Sequence, residues 1–361
     1  MSVQLAPALL VLLLPLSASA CDTGSDVPAG AAPWVQKADQ DEVTDVVDGI
    51  GEDDALALAK VGGPPESIVR TPSGATLLAW SVAGMEGERT ASAWIAFAPD
   101  GTLTGSQSAG TFLPAPPAAY DGGFLVAGPD AGDFANPRLV SEDGEVITRT
   151  PTLGHPRRVL AGDLVLGGHG GLAYRPTEHT FAPLPVAEED PLGGMMPTAL
   201  DGSGAITSIS GTVRKPVLLH STDGGTTWER KAIELPPGLD IDAARLVVDQ
   251  DRTLVPLVDE KQQTAGWITR SAGEKMWTVT SFDPPFEDAW ILGLVGDRVL
   301  IAPFDGDGGT LVSLADTDDR SEVDRNELRA SGGRLYSMSP KVTESADGRT
   351  WTDVPLRFPE G

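Results

Sequence analysis

His220-Ser221-Thr222-Asp223-Gly224-Gly225-Thr226-Thr227-Trp228 is the stretch whose reading decides the fold. The apolar run from Pro216 to Leu219 enters it, and the polar segment Glu229-Arg230-Lys231 leaves it. Between them, Asp-Gly-Gly supplies the positive-φ positions of a tight hairpin turn. Asp223 can accept hydrogen bonds from backbone N–H groups inside that turn. Trp228 can then lay a large apolar ring over the hairpin base. The stretch predicts a well-specified β-hairpin.

The spacing Ser221-x-Asp223-x-Gly225-x-Thr227-Trp228 resembles the Asp box (BNR repeat) of sialidase-like β-propellers. A second copy, one residue shorter, places Ser345, Asp347, Gly348, Thr350 and Trp351 in the same roles. A third, Ser271 to Trp277, keeps Ser271 and Trp277 but has no Asp. The resemblance implies a repeat architecture in which the boxes are structural and lie away from the ligand site. It assigns fold and no catalytic residue.

The rest of the chain agrees with an all-β reading. From about residue 62 onward, short apolar runs are broken by Gly, Pro and Asp, and few stretches sustain a helical period. Besides the three boxes, turns stand at Pro99-Asp100-Gly101, Glu142-Asp143-Gly144, Pro176-Thr177-Glu178 and Asp316-Thr317-Asp318. Their spacing of roughly 30 to 50 residues suits one four-stranded blade each. Blades cannot bury both faces alone, so they stack around an axis. The expectation is a single β-propeller of about seven four-stranded blades over residues 62–361, with six as the alternative.

Residues 1–20 read as a signal peptide: Ala6 to Leu16 is an apolar core too short to span a bilayer, and Ala18-Ser19-Ala20 is a cleavage pattern. Cys21 is the one cysteine of the chain. The small residues before it resemble a bacterial lipobox, which implies that Cys21 is lipidated and becomes the mature N-terminus. Ala18, where Leu is usual, and an n-region without Lys or Arg depart from that pattern, and plain secretion is the alternative. Residues 21–33 form a lipid-anchored flexible tether. Residues 34–61 form an acidic lead-in, read as a short helix or a closing strand.

The balance of 26 Lys and Arg against 52 Asp and Glu gives a net charge of −26. That argues against nucleic acid and against adsorption on an anionic bilayer. Membrane contact is then through the anchor alone, and the partner is an unknown protein or glycan.

A sialidase clamps its substrate carboxylate with three arginines and uses a Tyr–Glu nucleophile pair. Thr71 to Trp80 resembles the segment that follows the first of those arginines. Gly62 to Ser67 stands where that arginine belongs, and Arg70 sits out of register beside the turn. Of Tyr120, Tyr174 and Tyr336, Tyr336 alone comes late enough to resemble the nucleophile, though packing between blades explains it better. Asp316 to Glu327 has oxygen ligands at some EF-hand positions, but Arg320 and Ser321 break the motif. Asp305-Gly306-Asp307-Gly308-Gly309 could hold Ca²⁺, though a solvated turn accounts for it better. His155, His169, His179 and His220 show no zinc spacing. Of the tryptophans outside the boxes, Trp80, Trp94, Trp267 and Trp290 read as strand residues that pack in the core unless one reaches the axial mouth.

The preferred reading is an exported binding or assembly module with no cofactor. An exo-sialidase-type glycoside hydrolase is the alternative from another class. A maturation factor resembling the BNR propellers that assist photosystem assembly is a third.

Overall fold

The structure is a computed structural model that describes residues 32–35, 38–84, 89–111, 116–127, 137–148, 155–166, 172–185, 198–242, 245–249, 251–303 and 307–359. The signal, Cys21 and the tether up to residue 31 lie outside the described residues.

Seven antiparallel sheets follow one another along the chain, each made of consecutive strands. They are blade 1 (67–109), blade 2 (118–148), blade 3 (164–183), blade 4 (198–232), blade 5 (240–286), blade 6 (289–326) and blade 7 (328–353). The fold is a seven-bladed β-propeller. Five blades have four strands among the described residues, whereas blade 3 has three and blade 5 has five.

Both exceptions have local causes. In blade 3, residues 155–160 occupy the approach to the sheet without joining its ladder; Val159 N donates instead to Gly224 O of blade 4, at 3.0 Å. In blade 5 the innermost strand is split into Asp240–Ile241 and Val247–Asp249, both paired with Arg252–Val258. All seven turns read from the sequence join the last two strands of their sheets. The strands run up and down, so these turns share one end of the ring.

Burial peaks in the middle strands of the blades and falls towards the rim. The middle strands of blade 1, Thr76–Ala83 and Thr90–Phe97, are apolar and almost wholly buried because both faces are covered by neighbours. The outermost strand of blade 6, Arg320–Asn326, is charged and mostly exposed, which blunts a free edge. Each junction between blades holds its own apolar cluster. For example, Ile209, Leu218, Val255, Leu257 and Ile268 fill the junction of blades 4 and 5.

The junction of blades 7 and 1 must join the two ends of the chain, and no strand is exchanged across it among the described residues. The lead-in is helical there, with no strand contributed. A 3₁₀ turn, Pro33–Val35, is followed by α1, Gln40–Gly49, and α2, Ala55–Val61. The carboxylate of Asp39 accepts from Glu42 N at 2.8 Å and starts α1. Ala55, Leu58, Ala59 and Val61 of α2 are buried in the same cluster as Trp80, Ile95 and Phe97 of blade 1 and Tyr336, Met338 and Val342 of blade 7. The C-terminal tail crosses in the other direction, where Arg357 N donates to Gly101 O at 2.8 Å.

Candidate functional site

The best-defined side-chain geometry is at the turn end. In the Ser221–Trp228 turn, Asp223 Oδ1 accepts from Ser221 Oγ and from Thr227 N, both at 2.8 Å, while Oδ2 accepts from Thr227 Oγ1 at 2.7 Å. Ser221 Oγ in turn accepts from Gly225 N at 2.7 Å. These donors, Thr227 N–H foremost, hold the Asp223 carboxyl down at about 2. The turn of blade 7 repeats the arrangement, with Asp347 accepting from Thr350 N and Arg349 N at 2.8 Å each and also lowered to about 2.

Gly225 has φ +89°, and a Cβ there would collide with Pro185 of the preceding blade. Gly348 likewise backs onto Leu311 and Val323 of blade 6. The tryptophans follow the same rule. Trp228 packs with Val159, Ala173 and Leu184 of blade 3, and Trp351 with Leu311 and Val323 of blade 6. Trp277 joins the junction of blades 4 and 5. Each of these rings therefore fastens its blade to the one before. At the third turn Glu274 stands in for the missing Asp, and its carboxylate accepts from Ser271 N at 3.2 Å.

Blade 3 anchors the equivalent turn differently. Asp163 takes two hydrogen bonds from Arg175, both at 2.9 Å, and Arg175 reaches on to Glu178 at 3.3 Å. His179 holds φ +51° in this turn and pairs through Nδ1 with Tyr174 OH at 3.0 Å.

Tyr336 lies on the second strand of blade 7, Arg334–Ser337, rather than on an innermost strand, and is 2% exposed. Its cross-strand partner is Glu344. The Glu344 carboxylate is held by Arg70 Nη1 of blade 1 at 2.6 Å and lies 3.7 Å from Arg334. Burial first, and the Glu344 charge second, push the Tyr336 hydroxyl up to about 12. Two arginines, a glutamate and a tyrosine therefore meet, but inside the closing junction at the turn end. A phenol so placed is a poor nucleophile, because ionising it costs desolvation and charge repulsion.

At the axis, the innermost strands of neighbouring blades touch one another. Of the four strand tryptophans, Trp80, Trp94 and Trp267 are buried, whereas Trp290 on the innermost strand of blade 6 is partly exposed. Arg245 leaves the break in the innermost strand of blade 5 and stacks on Trp290, 4.0 Å from the ring centroid. Arg329 of blade 7 donates to the carbonyls of Pro65 and Glu66 at 3.0 and 3.2 Å. Burial raises the carboxyl of Glu66, against the pull of Ser81 and Arg329. Sequence reasoning missed Arg245 and Arg329, because nothing local marks an arginine that works across two blades.

The calcium candidates fare unequally. Residues 305 and 306 lie outside the described residues, as does His169. Within Asp316 to Glu327, residues 320–326 are a strand, not a ligand loop. Asp316 Oδ1 accepts from Asp318 N, and Asp319 Oδ2 pairs with Arg298 at 2.6 Å. No group of three metal-ligating side chains occurs among the described residues. His155 is exposed, and His220 is buried against Thr207 Oγ1 at 3.0 Å.

No protein-family model matches the chain, and no curated protein resembles it. Solved structures that align with it are propellers. BamB from Moraxella catarrhalis shares 12% identity over 77% of this chain and 83% of its own, with a TM-score of 0.44. The β-propeller domain of the Trilobed protease from Pyrococcus furiosus shares 8% over 81% and 95%, at 0.45. The NanB sialidase from Streptococcus pneumoniae shares 10% over 77% and 64%, at 0.33. Likeness at this level carries no activity across.

Proposed function

We propose that this chain is an exported, lipid-anchored propeller that serves as a binding or assembly module for a protein or glycan, with Cys21 as the lipidated residue. The Ser221, Ser271 and Ser345 turns act in this reading as Asp-box fasteners, with no part in chemistry. The observation that supports binding over catalysis is the state of Tyr336 and Glu344. The hydroxyl is closed in a junction, and the glutamate that would activate it is already neutralised by Arg70. The net charge of −26 also repels an anionic substrate at long range.

The test is turnover of an α-linked sialoside reporter between about pH 4 and 8, the range in which a carboxyl acid works. The expected result is no rate above the no-enzyme control. Turnover abolished by Tyr336→Phe would establish the glycosidase reading in its place. Mass spectrometry of the mature protein, with and without Cys21→Ser, tests the anchor separately. An unmodified Cys21 would leave a secreted module.

A further inference from the structure

A cavity of about 190 Å³ lies where the two ends of the chain meet, lined by Ala32, Lys341, Val342 and the tail residues 353–358. We propose that it is a binding site for a small organic monocarboxylate. It opens to solvent and has both polar and apolar walls, and its volume is of the order that one aromatic ring fills, about 150 Å³.

The walls supply two kinds of surface. Val342, Val354, Leu356 and Phe358 are apolar, while the cationic residues Lys341 and Arg357 line the cavity beside them. Lys341 has no carboxylate within ion-pair distance among the described residues. Arg357 contributes to lowering the Asp100 carboxyl, behind the Thr102 N–H that is the main cause, and among the described residues no carboxylate is hydrogen-bonded to it. One carboxylate, Asp353, shares the rim and opposes an anion there. Cations beside an apolar wall match a ligand with a carboxylate at one end and a hydrocarbon body at the other.

The site is also built in advance. Val354 N donates to Val342 O at 2.9 Å, Ala32 N to Pro340 O at 3.1 Å and Arg357 N to Gly101 O at 2.8 Å. Three separate segments are thereby fixed before any ligand arrives, which limits the ordering cost of binding. These bonds also join the lead-in, the tail, blade 7 and blade 1. A ligand that needs the assembled cavity stabilises the closed ring in proportion to its occupancy. The inference stands independently of the anchor and of the partner.

Benzoate titrated into the full mature chain, followed by calorimetry and by thermal melting, tests the site. Saturable binding with a Kd of about 1 mM is expected for a ligand of this size. Benzyl alcohol, which has the ring without the charge, should bind about tenfold more weakly, and so should benzoate to Lys341→Met. Asp353→Asn should tighten benzoate binding, because it removes the opposing charge without touching the apolar wall. Both side chains being at least partly open, the melting temperature of each free variant should match the parent and report a folded domain. No saturation by about 20 mM, equal binding of the alcohol, or a Lys341→Met variant that binds unchanged would each overturn the site.

Discussion

The junction of blades 4 and 5 and the junction of blades 7 and 1 solve the same packing problem with different means. Between blades 4 and 5 the chain itself is continuous, and a mainly aliphatic cluster capped by Trp277 suffices. Between blades 7 and 1 there is no covalent link, and the filling is larger and more aromatic. Trp34 meets Trp80 and Phe358 edge-on at 5.6 and 5.5 Å, and Phe358 meets Phe97 at 5.0 Å. Each junction also carries an arginine–glutamate pair that bridges its two blades, Arg270 with Glu229 and Arg70 with Glu344. The interior pair is open on the glutamate side, and the closing pair is enclosed on both. The lesson is that, where the described strands are not exchanged between first and last blade, closure passes to side chains and chain ends, which become part of the core.

The largest effects should come from the two tryptophans. Trp34→Ala removes a ring that is 4% exposed, together with its Nε1 hydrogen bond to Met338 O at 2.8 Å. We expect a loss of about 3–5 kcal/mol in denaturant unfolding. Trp277→Ala, at the interior junction, should cost about 3 kcal/mol, because covalent continuity persists there. If Trp34→Ala proves the milder of the two, the lead-in is an ornament on a ring that closes without it.

The charge pairs sharpen the comparison at smaller cost. Glu344→Gln leaves Arg70 enclosed without a counter-charge and should destabilise by roughly 2 kcal/mol. Glu229→Gln should cost under about 1 kcal/mol, since its partner Arg270 also donates to Glu274 O at 2.7 Å and stacks on Trp277. Equal losses for the two variants would remove the distinction between the junctions.

Acid should expose the smallest difference, in two steps. His220 is held below its ordinary value by burial and then by the Arg270 charge, with Glu229 and Asp201 acting the other way. The unfolded chain therefore binds the proton first, and stability falls as pH drops below about 6.5. That step belongs to the interior junction, where His220 also faces Trp277 and Thr207, and His220→Gln should abolish it. A second step comes from Asp223 and Asp347, whose carboxyls are lowered to about 2. Their contribution is complete above about pH 4 and is lost as pH falls towards 2. Melts of Asp223→Asn should show a shallower slope across that window, while an unchanged slope would mean that the turn hydrogen bonds stabilise nothing.

The sequence by itself determined the repeat. Ser221, Asp223, Gly225, Thr227 and Trp228 are neighbours in the chain, and their hydrogen bonds close within the same turn, so local spacing is enough to reveal them. The seven recurring turns, read the same way, gave the number of blades. Three-dimensional structure alone decided how those blades hold together. Trp290 reads like Trp267 along the chain, yet Trp290 is partly exposed under Arg245, which comes from the break in a neighbouring blade's strand, while Trp267 is buried against Phe282. Arg70 and Glu344 are 274 residues apart, and nothing near either of them announces the other. The acidic lead-in reads equally as helix or strand, and it becomes a helical clasp because the closing junction offers apolar surface for Leu58 and Val61 to cover. Turn chemistry is local and legible; the closure of a ring is a relation between its ends, and it exists only once the chain has come round.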